Sequence, residues 1–289
     1  MKIRKVGKMT GAQDGAIFGS ELFRFTRYGG CRVYNLEDID PSGECEMEPT
    51  AKFTLDRTDV IMPHCNSVCF GTEYYQKDDE YPLLYANVYN NYAKEEDKRV
   101  GICCVYRIFR NGDEFGSELL QLIEIGFCKD SELWRAYPDE DGPRPYGNFL
   151  VDRERGYYYA FVMRCVELGT RYFKFKLPSA RDGEIDPRYG VRRVVLGAED
   201  ILESFDCPYH RYIQGATLHN GKIYSTEGFR ASEVNRPVIR IIDLERGEQE
   251  SVFDLLSMGY VDEVEMIDFY KGTCYYSDAD GVFYSVDFD

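Results

Sequence analysis

Nine polar residues stand at or near the starts of five apolar, strand-like runs. In chain order they are Gln13 and Asp14, His64 and Asn66, Tyr146 and Asn148, Gln214, and Glu263 and Glu265. Amide side chains donate and accept hydrogen bonds, whereas ionised carboxylates only accept them, so the set suits a ligand rich in hydroxyl groups. If the fold gathers the five starts around one point, these residues predict a pocket for a small polar ligand or a carbohydrate.

Oxygen-bearing side chains of the same set also suit a hard cation. Asp14, Asn66, Asn148 and Glu265 carry the carboxylate and amide oxygens that Ca²⁺ prefers. Calcium is therefore the one cofactor that these residue types would suit, and no other cofactor is predicted. The alternative is a water-filled cavity whose polar ends only complete the hydrogen bonding of the fold. The sequence assigns neither metal ligands nor catalytic residues.

Two loop residues complete the candidate set. Trp134 is the single Trp of the chain, and its ring could stack on a sugar or another planar group. His210 lies in an aromatic and basic segment, 207–212, shortly before Gln214. The alternatives are that Trp134 anchors its loop to the fold and that His210 only forms loop hydrogen bonds.

The overall charge excludes two classes of partner. The 289 residues carry a net charge of −16, with 51 acidic against 35 basic residues. Because proteins that bind nucleic acid or anionic membranes normally present a basic face, neither partner is predicted. No apolar run approaches the roughly 18 residues that span a bilayer, and the N-terminus lacks the apolar core of a signal peptide. We therefore expect a cytoplasmic protein whose ten cysteines are reduced; its oligomeric state is not predicted.

A degenerate unit of three strands recurs five times along the chain. Its first strand is apolar after a polar start, its second is often rich in Tyr, and its third alternates and ends in charge. The first strands cover 13–18, 64–70, 146–151, 214–218 and 263–267, and the third strands cover 31–36, 105–109, 173–177, 238–244 and 282–288. Asn220-Gly221 and Lys271-Gly272 supply the glycines that tight hairpins need.

Five such units predict a single all-β domain over residues 1–289, namely a five-bladed β-propeller. The last unit ends on its third strand, so its sheet lacks an outer strand. The alternating run 2–9 could supply that strand, which would close the ring and remove two sheet edges. In such a ring the polar starts of the inner strands meet at the mouth of one central channel.

The spacing of the units is longer than the roughly 40 to 50 residues usual for one blade. The excess is expected in polar loops at 76–81, 92–99, 129–145 and 178–189. Helical patterns are almost absent, and 198–205 and 252–258 are the best candidates for short helices. A sandwich of two sheets is the alternative fold.

One segment carries a resemblance to known proteins. Gln214–Tyr224 reads Gln-Gly-Ala-Thr-Leu-His-Asn-Gly-Lys-Ile-Tyr and resembles the inner hairpin of many β-propeller blades. The chain thus resembles the β-propeller superfamily without matching a specific family. Five-bladed glycoside hydrolases are similar in architecture and place carboxylates near several inner strands. Asn148 and Gln214 are amides, which cannot act as general acids or bases, and this departure argues against a glycosidase of that type.

Two functions stay open at this point. The first is binding of a small polar ligand, such as a carbohydrate, at the channel mouth. The second is a metal-assisted hydrolase or lyase, lactonase-like or glycosidase-like, that acts at the same mouth with His64, Asp14 and Glu265. Lactonase-type propellers are similar in that they place Glu, Asn and Asp side chains around a central metal.

Overall fold

The structure is a computed structural model. It describes residues 1–40, 42–43, 45–88, 101–126, 148–165, 169–208, 212–228 and 236–288, with backbone alone for residues 148 and 163–165. The predicted residues Trp134, Tyr146 and His210 therefore lie outside the described part of the chain, as do the predicted loops 92–99 and 129–145.

The described residues form five sheets. The first strand, β1 (Lys2–Lys8), belongs to the last sheet, blade 5. Blade 1 contains β2 (Gly15–Phe18), β3 (Glu21–Phe25), β4 (Gly30–Asn35) and β5 (Ala51–Thr54). Blade 2 contains β6 (Val68–Phe70), β7 (Leu84–Asn87), β8 (Gly101–Asn111) and β9 (Glu114–Ile125), with two added strands, β13 (Glu184–Ile185) and β14 (Arg192–Leu196).

The other three sheets have four strands each. Blade 3 contains β10 (Asn148–Asp152), β11 (Tyr157–Cys165), β12 (Gly169–Lys176) and β15 (Glu203–Cys207). Blade 4 contains β16 (Ile213–His219), β17 (Lys222–Glu227), β18 (Val238–Asp243) and β19 (Glu248–Asp254). Blade 5 contains β20 (Val264–Tyr270), β21 (Thr273–Asp278), β22 (Val282–Asp287) and β1.

The inner strands form a closed ring. Each of β2, β6, β10, β16 and β20 contacts the inner strand of the next blade, and β20 contacts β2. A sandwich would instead stack two large sheets face to face. The five-bladed β-propeller is therefore confirmed, and the sandwich is excluded.

The N-terminal strand closes the ring as predicted. β1 pairs antiparallel with β22, from Lys2 opposite Asp287 to Lys8 opposite Val282. Its residue Val6 is buried, because it packs into the apolar layer between blades 5 and 1. The free edge of β1 is covered near its end, where the backbone N–H of Lys8 donates to the Cys45 carbonyl at 3.0 Å. Covering an edge in this way protects it from pairing with another chain.

Tight hairpins follow the inner strands of blades 4 and 5. Asn220 and Gly221 have φ angles of 49° and 72°, and Lys271 and Gly272 have φ angles of 49° and 80°. Two successive positive φ angles define the type I′ turn, which matches the twist of the flanking strands. The predicted hairpins are thus confirmed.

Two predictions about the connections are wrong. The segment 178–189 is not only a loop: it contains β13, and the following β14 pairs in parallel with β9, so blade 2 has six strands. The two candidate helices are absent as α-helices. In their places stand single 3₁₀ turns at Ala198–Asp200 and Leu256–Met258, each next to a strand. Both segments are too short for a stable helix without tertiary support.

Two further features of the described chain are its free cysteines and the hydropathy of its helices. Eight cysteines of the described chain are free thiols, and seven of them are buried. Within the same residues, no helix is long and apolar enough to cross a membrane.

Candidate functional site

Polar side chains at the starts of the inner strands of blades 1, 2 and 5 meet at one end of the propeller axis. Gln13 lies just before β2, and its backbone N–H donates to the Phe25 carbonyl at 2.8 Å, which fixes its position at the end of the neighbouring strand. The amide of Gln13 donates from Nε2 to Glu265 Oε1 at 3.1 Å. Its Oε1 lies 2.9 Å from Nε2 of His64. A continuous chain of side chains, His64–Gln13–Glu265, thus crosses three blades.

Blade 4 adds a second polar pair at the same end. Nε2 of Gln214 donates to Oε1 of Glu263 and to the carbonyl of Gly228 at 3.3 Å. Because Glu263 is two residues before Glu265, this pair lies beside the His64–Gln13–Glu265 chain. The side chains of Gln13, His64, Gln214 and Glu263 are all half-buried. They can therefore bond each other and still meet a ligand from solvent.

Glu265 is the buried member of the group. Its side chain is 2% exposed, and its Oε2 has no hydrogen-bond partner among the described residues. Burial raises the pKa of Glu265 well above its usual range, and the nearby Glu263 carboxylate adds to the effect. A carboxyl group held protonated can donate a hydrogen bond as well as accept one.

Asp14 and Asn66, by contrast, are engaged with the protein. Asp14 is fully buried, and its Oδ2 accepts a hydrogen bond from the N–H of Val68 at 2.8 Å. Oδ1 of Asn66 accepts from Asn87 at 2.6 Å, and its Nδ2 donates to the Ile213 carbonyl at 3.5 Å. These contacts tie blade 1 to blade 2 and blade 2 to blade 4. Both residues are therefore buried and committed to contacts between blades, beneath the half-buried side chains of the mouth.

Arg24 is a central residue that the sequence did not single out. Its guanidinium is fully buried, donates to Ser277 Oγ, and donates from Nη2 to the Ala12 carbonyl at 3.2 Å. The charge of Arg24 acts on Asp14 and Glu265 and lowers the pKa of each, against the larger effect of burial. The available signal was a single charged residue in the otherwise apolar run Leu22–Phe25.

A third carboxylate belongs to the same buried group. Asp278 ends β21, is 2% exposed, and has one oxygen without a partner among the described residues. Burial raises the pKa of Asp278 to about 6, and the nearby Asp262 and Asp280 reinforce the shift. Arg24 is thus the buried cation that Asp14, Glu265 and Asp278 share.

At the opposite end of the axis, side chains bridge the blades. Asp268 of blade 5 accepts from Thr217 Oγ1 at 2.8 Å and from the N–H of Ile17 at 2.7 Å, which links blades 4, 5 and 1. Arg153 of blade 3 donates to the carbonyls of Phe70 at 2.9 Å and Ile17 at 3.3 Å. Together these contacts link all five blades at the end of the axis away from Gln13.

The predicted residues divide into three groups. The structure brings Gln13, His64, Gln214, Glu263 and Glu265 together at the mouth, and it places Asp14 and Asn66 beneath them. Asn148 begins β10, an inner strand, but its side chain is outside the described part. Trp134, Tyr146 and His210 lie outside the described residues altogether.

The described side chains do not favour the predicted calcium site. Among the described residues, no group of three or more His, Cys, Asp and Glu side chains is arranged to hold a metal ion. Asp14 and Asn66 already bond to Val68 and Asn87 with oxygens that a cation would need. Calcium therefore stays a prediction that these contacts do not favour.

Comparison with known proteins identifies the fold. No protein-family model and no curated protein matches the chain. Among solved structures, a glucose dehydrogenase aligns over 100% of both chains at 10% identity with a TM-score of 0.52. Glutaminyl cyclase of Myxococcus xanthus covers 98% of this chain and 100% of its own at 12% identity, with a TM-score of 0.47. Sqt1 of Saccharomyces cerevisiae covers 92% of this chain but only 55% of its own at 10% identity, with a TM-score of 0.38.

The chain is a β-propeller. The similarity to the glucose dehydrogenase, at 10% identity, shows a shared fold and no more, since one fold hosts many unrelated functions. This propeller spans about half the length of the Sqt1 structure that it matches. Its function must be argued from its own channel mouth.

Proposed function

We propose that this propeller binds a small polar ligand, with carbohydrates as the first class to test, at the mouth of its central channel. One observation carries the proposal: the half-buried Gln13, His64, Gln214 and Glu263 converge from four blades beside the buried Glu265. Binding sites characteristically combine a concave, mostly preformed shape with a few polar groups placed to fix orientation.

The chemistry of the mouth favours hydroxyl-rich ligands. Two amides offer both donors and acceptors, Glu263 offers acceptor oxygens, and Glu265 has an oxygen without a partner in the described structure. Sugar hydroxyls donate and accept in the same way, so they can replace the water that reaches the mouth. The Glu263 carboxylate, which acts on the pKa of the neighbouring Glu265, disfavours phosphorylated or carboxylated ligands, because like charges repel.

Calorimetric titration with glucose, galactose and N-acetylglucosamine tests this proposal. We expect saturable binding of at least one sugar, weakened by about five- to tenfold in Gln13→Ala and in Gln214→Ala, because each variant loses one or two hydrogen bonds. Gln76→Ala is the matched control: Gln76 is an exposed glutamine in the connection that follows β6, on the face away from the mouth. Failure of all three sugars to bind, or equal weakening by Gln76→Ala, would contradict the proposal.

A hydrolase at the same mouth is the second candidate, and one observation favours it. The raised pKa of Glu265 suits a general acid, and His64 lies one side chain away through Gln13. A panel of aryl glycosides and lactones separates the two functions. Turnover that is lost in Glu265→Gln would favour the enzyme, whereas sugar binding without turnover would favour the binding protein.

A further inference from the structure

A second cleft opens on the face of the propeller opposite the channel mouth. It lies between the β2–β3 turn at Gly19 of blade 1 and the β8–β9 hairpin of blade 2, and it encloses about 610 Å³. That volume falls within the range of small-molecule sites, roughly 300 to 1,000 Å³. All of its lining residues belong to the described part of the chain, and none belongs to the channel mouth.

The inner wall of this cleft is aromatic. Phe18, Tyr81 and Phe115 line it, with ring centroids 5.8 Å apart for Phe18 and Tyr81 and 5.9 Å apart for Tyr81 and Phe115. Phe18 and Phe115 are only half-buried, so part of each ring faces the cleft. Ring faces of this kind attract cations through their quadrupole.

The rim of the cleft is acidic. Glu21, Glu37, Glu80 and Asp113 line it, against the single cation Arg110. Four carboxylates and one guanidinium leave a local charge of about −3. Lys271 reaches Glu37 from outside the cleft at 3.5 Å, but both side chains are well exposed, so this pair is weak.

Arg110 shows which chemical group the cleft accommodates. Its guanidinium lies 4.4 Å from the centroid of Phe115 and 5.8 Å from that of Tyr81. The same group pairs with Glu21 at 2.7 Å and with Glu80 at 3.2 Å. A planar organic cation, the guanidinium of Arg110, thus already lies between rings and carboxylates on one side of the cleft. Asp113 and Glu37 supply further carboxylates for a second cation.

We infer that this cleft binds a small organic cation, namely an aliphatic amine or guanidine. The aromatic wall takes the aliphatic stem and one face of the cation, and the carboxylates of Glu37 and Asp113 accept its N–H groups. Neutral and anionic molecules lack the positive charge that the carboxylates and the ring faces attract. The net charge of −16 of the whole chain raises the local concentration of such cations and speeds their association.

Putrescine is the first probe, with 1,4-butanediol as its uncharged counterpart of similar length. Calorimetric or NMR titration of the full chain should give saturable binding of putrescine or agmatine, weaker in 0.5 M NaCl because salt screens exposed charges. Butanediol should not bind at the same concentrations. Binding of butanediol as tightly as putrescine, or no saturable binding of either amine, would overturn the inference.

A double variant that neutralises the rim locates the site. Glu37→Gln with Asp113→Asn should weaken putrescine binding by about five- to tenfold, since two accessible carboxylates are lost. Asp59→Asn with Glu199→Gln removes the same charge from exposed positions outside the cleft and should change the affinity by less than about twofold. Equal weakening by both double variants would show that putrescine affinity depends only on the net charge of the protein. That result would overturn the inference.

Removal of Arg110, the cation that already lies in the cleft, should strengthen putrescine binding instead of weakening it. Arg110→Met vacates the ring face of Phe115 and leaves Glu21 and Glu80 without their cation, so putrescine should bind about five- to tenfold more tightly. Arg246→Met, which removes an exposed arginine elsewhere, is the control. Unchanged or weaker binding in a folded Arg110→Met protein would contradict the assigned cleft. Sugar binding at the channel mouth should be unaffected by all of these variants, which keeps the two sites experimentally separate.

Discussion

Replacing Arg24 by Leu should lower the free energy of unfolding by about 3–5 kcal/mol at neutral pH. Arg24 is the one cation buried among Asp14, Glu265 and Asp278, and each of these carboxyl groups has an oxygen without a hydrogen-bond partner in the described structure. Without the guanidinium, the carboxylates must stay charged in an apolar surrounding or take up protons. Urea unfolding followed by circular dichroism measures the loss.

The stability lost in Arg24→Leu should depend on pH in a direction that the pKa shifts determine. The pKa of Asp278 is about 6 in the folded protein, above the usual 3.8 of an aspartate, and burial raises the pKa of Asp14 and Glu265 in the same direction. Between about pH 4 and pH 6 the folded state therefore binds more protons than the unfolded state, and stability falls as the pH rises. Arg24→Leu raises these pKa values further, so its penalty should be largest near pH 7 and smaller near pH 5.

Arg27→Leu is the control for this experiment. Arg27 is exposed, three residues further along the chain, and its replacement should change the stability by less than about 0.5 kcal/mol. A loss below about 1 kcal/mol for Arg24→Leu, or a penalty that grows as the pH falls from 7 to 5, would contradict the shared buried cation.

A charge at Val6 should be about as damaging, because it would break the closure of the ring. Val6 of β1 is 1% exposed and packs in the cluster that contains Ile17 of blade 1 and Met266 of blade 5. Val6→Asp buries an unpaired carboxylate there, and we expect a loss of about 3 kcal/mol or more in the free energy of unfolding. The freed edge of β22 should also make the variant prone to aggregate.

Lys5→Asp on the same strand separates burial from charge. The side chain of Lys5 is exposed, so this variant should unfold within about 1 kcal/mol of the wild type. Chemical unfolding and light scattering follow both variants. A Val6→Asp protein as stable and as monomeric as Lys5→Asp would show that β1 does not hold the ring together.

The fold could be predicted because its signals are local. The polar start and apolar body of 214–218, with the following Asn220-Gly221 turn, specify an inner hairpin without reference to the rest of the chain. Five repeats of the three-strand unit predict the ring of blades. The alternating pattern of residues 2–9 predicts the strand that completes blade 5. The added strands β13 and β14 were missed because they are short, and β13 is exposed on both faces. Their position depends on pairing with β9, about 70 residues earlier.

The site was predicted only in part, for a related reason. Gln13, His64, Gln214, Glu263 and Glu265 were found because each marks the start of a strand, and the ring then brings those starts together. Arg24 stands in the second strand of its blade, and its partner Ser277 lies 253 residues away. No local pattern connects such residues. The same holds for the second cleft, which combines a turn of blade 1 with a hairpin of blade 2.

Histidine NMR tests most directly whether three blades meet at the mouth. The chain has only three histidines, so the imidazole resonances of His64 can be assigned with a His64→Asn variant. We predict that Gln13→Ala and Glu265→Gln both shift the His64 ring resonances by at least about 0.1 ppm, because the His64 ring is linked to Glu265 through Gln13. The resonances of His219, at the far end of β16, should stay in place. His64 resonances that do not respond to Glu265→Gln would contradict the convergence on which the binding site rests.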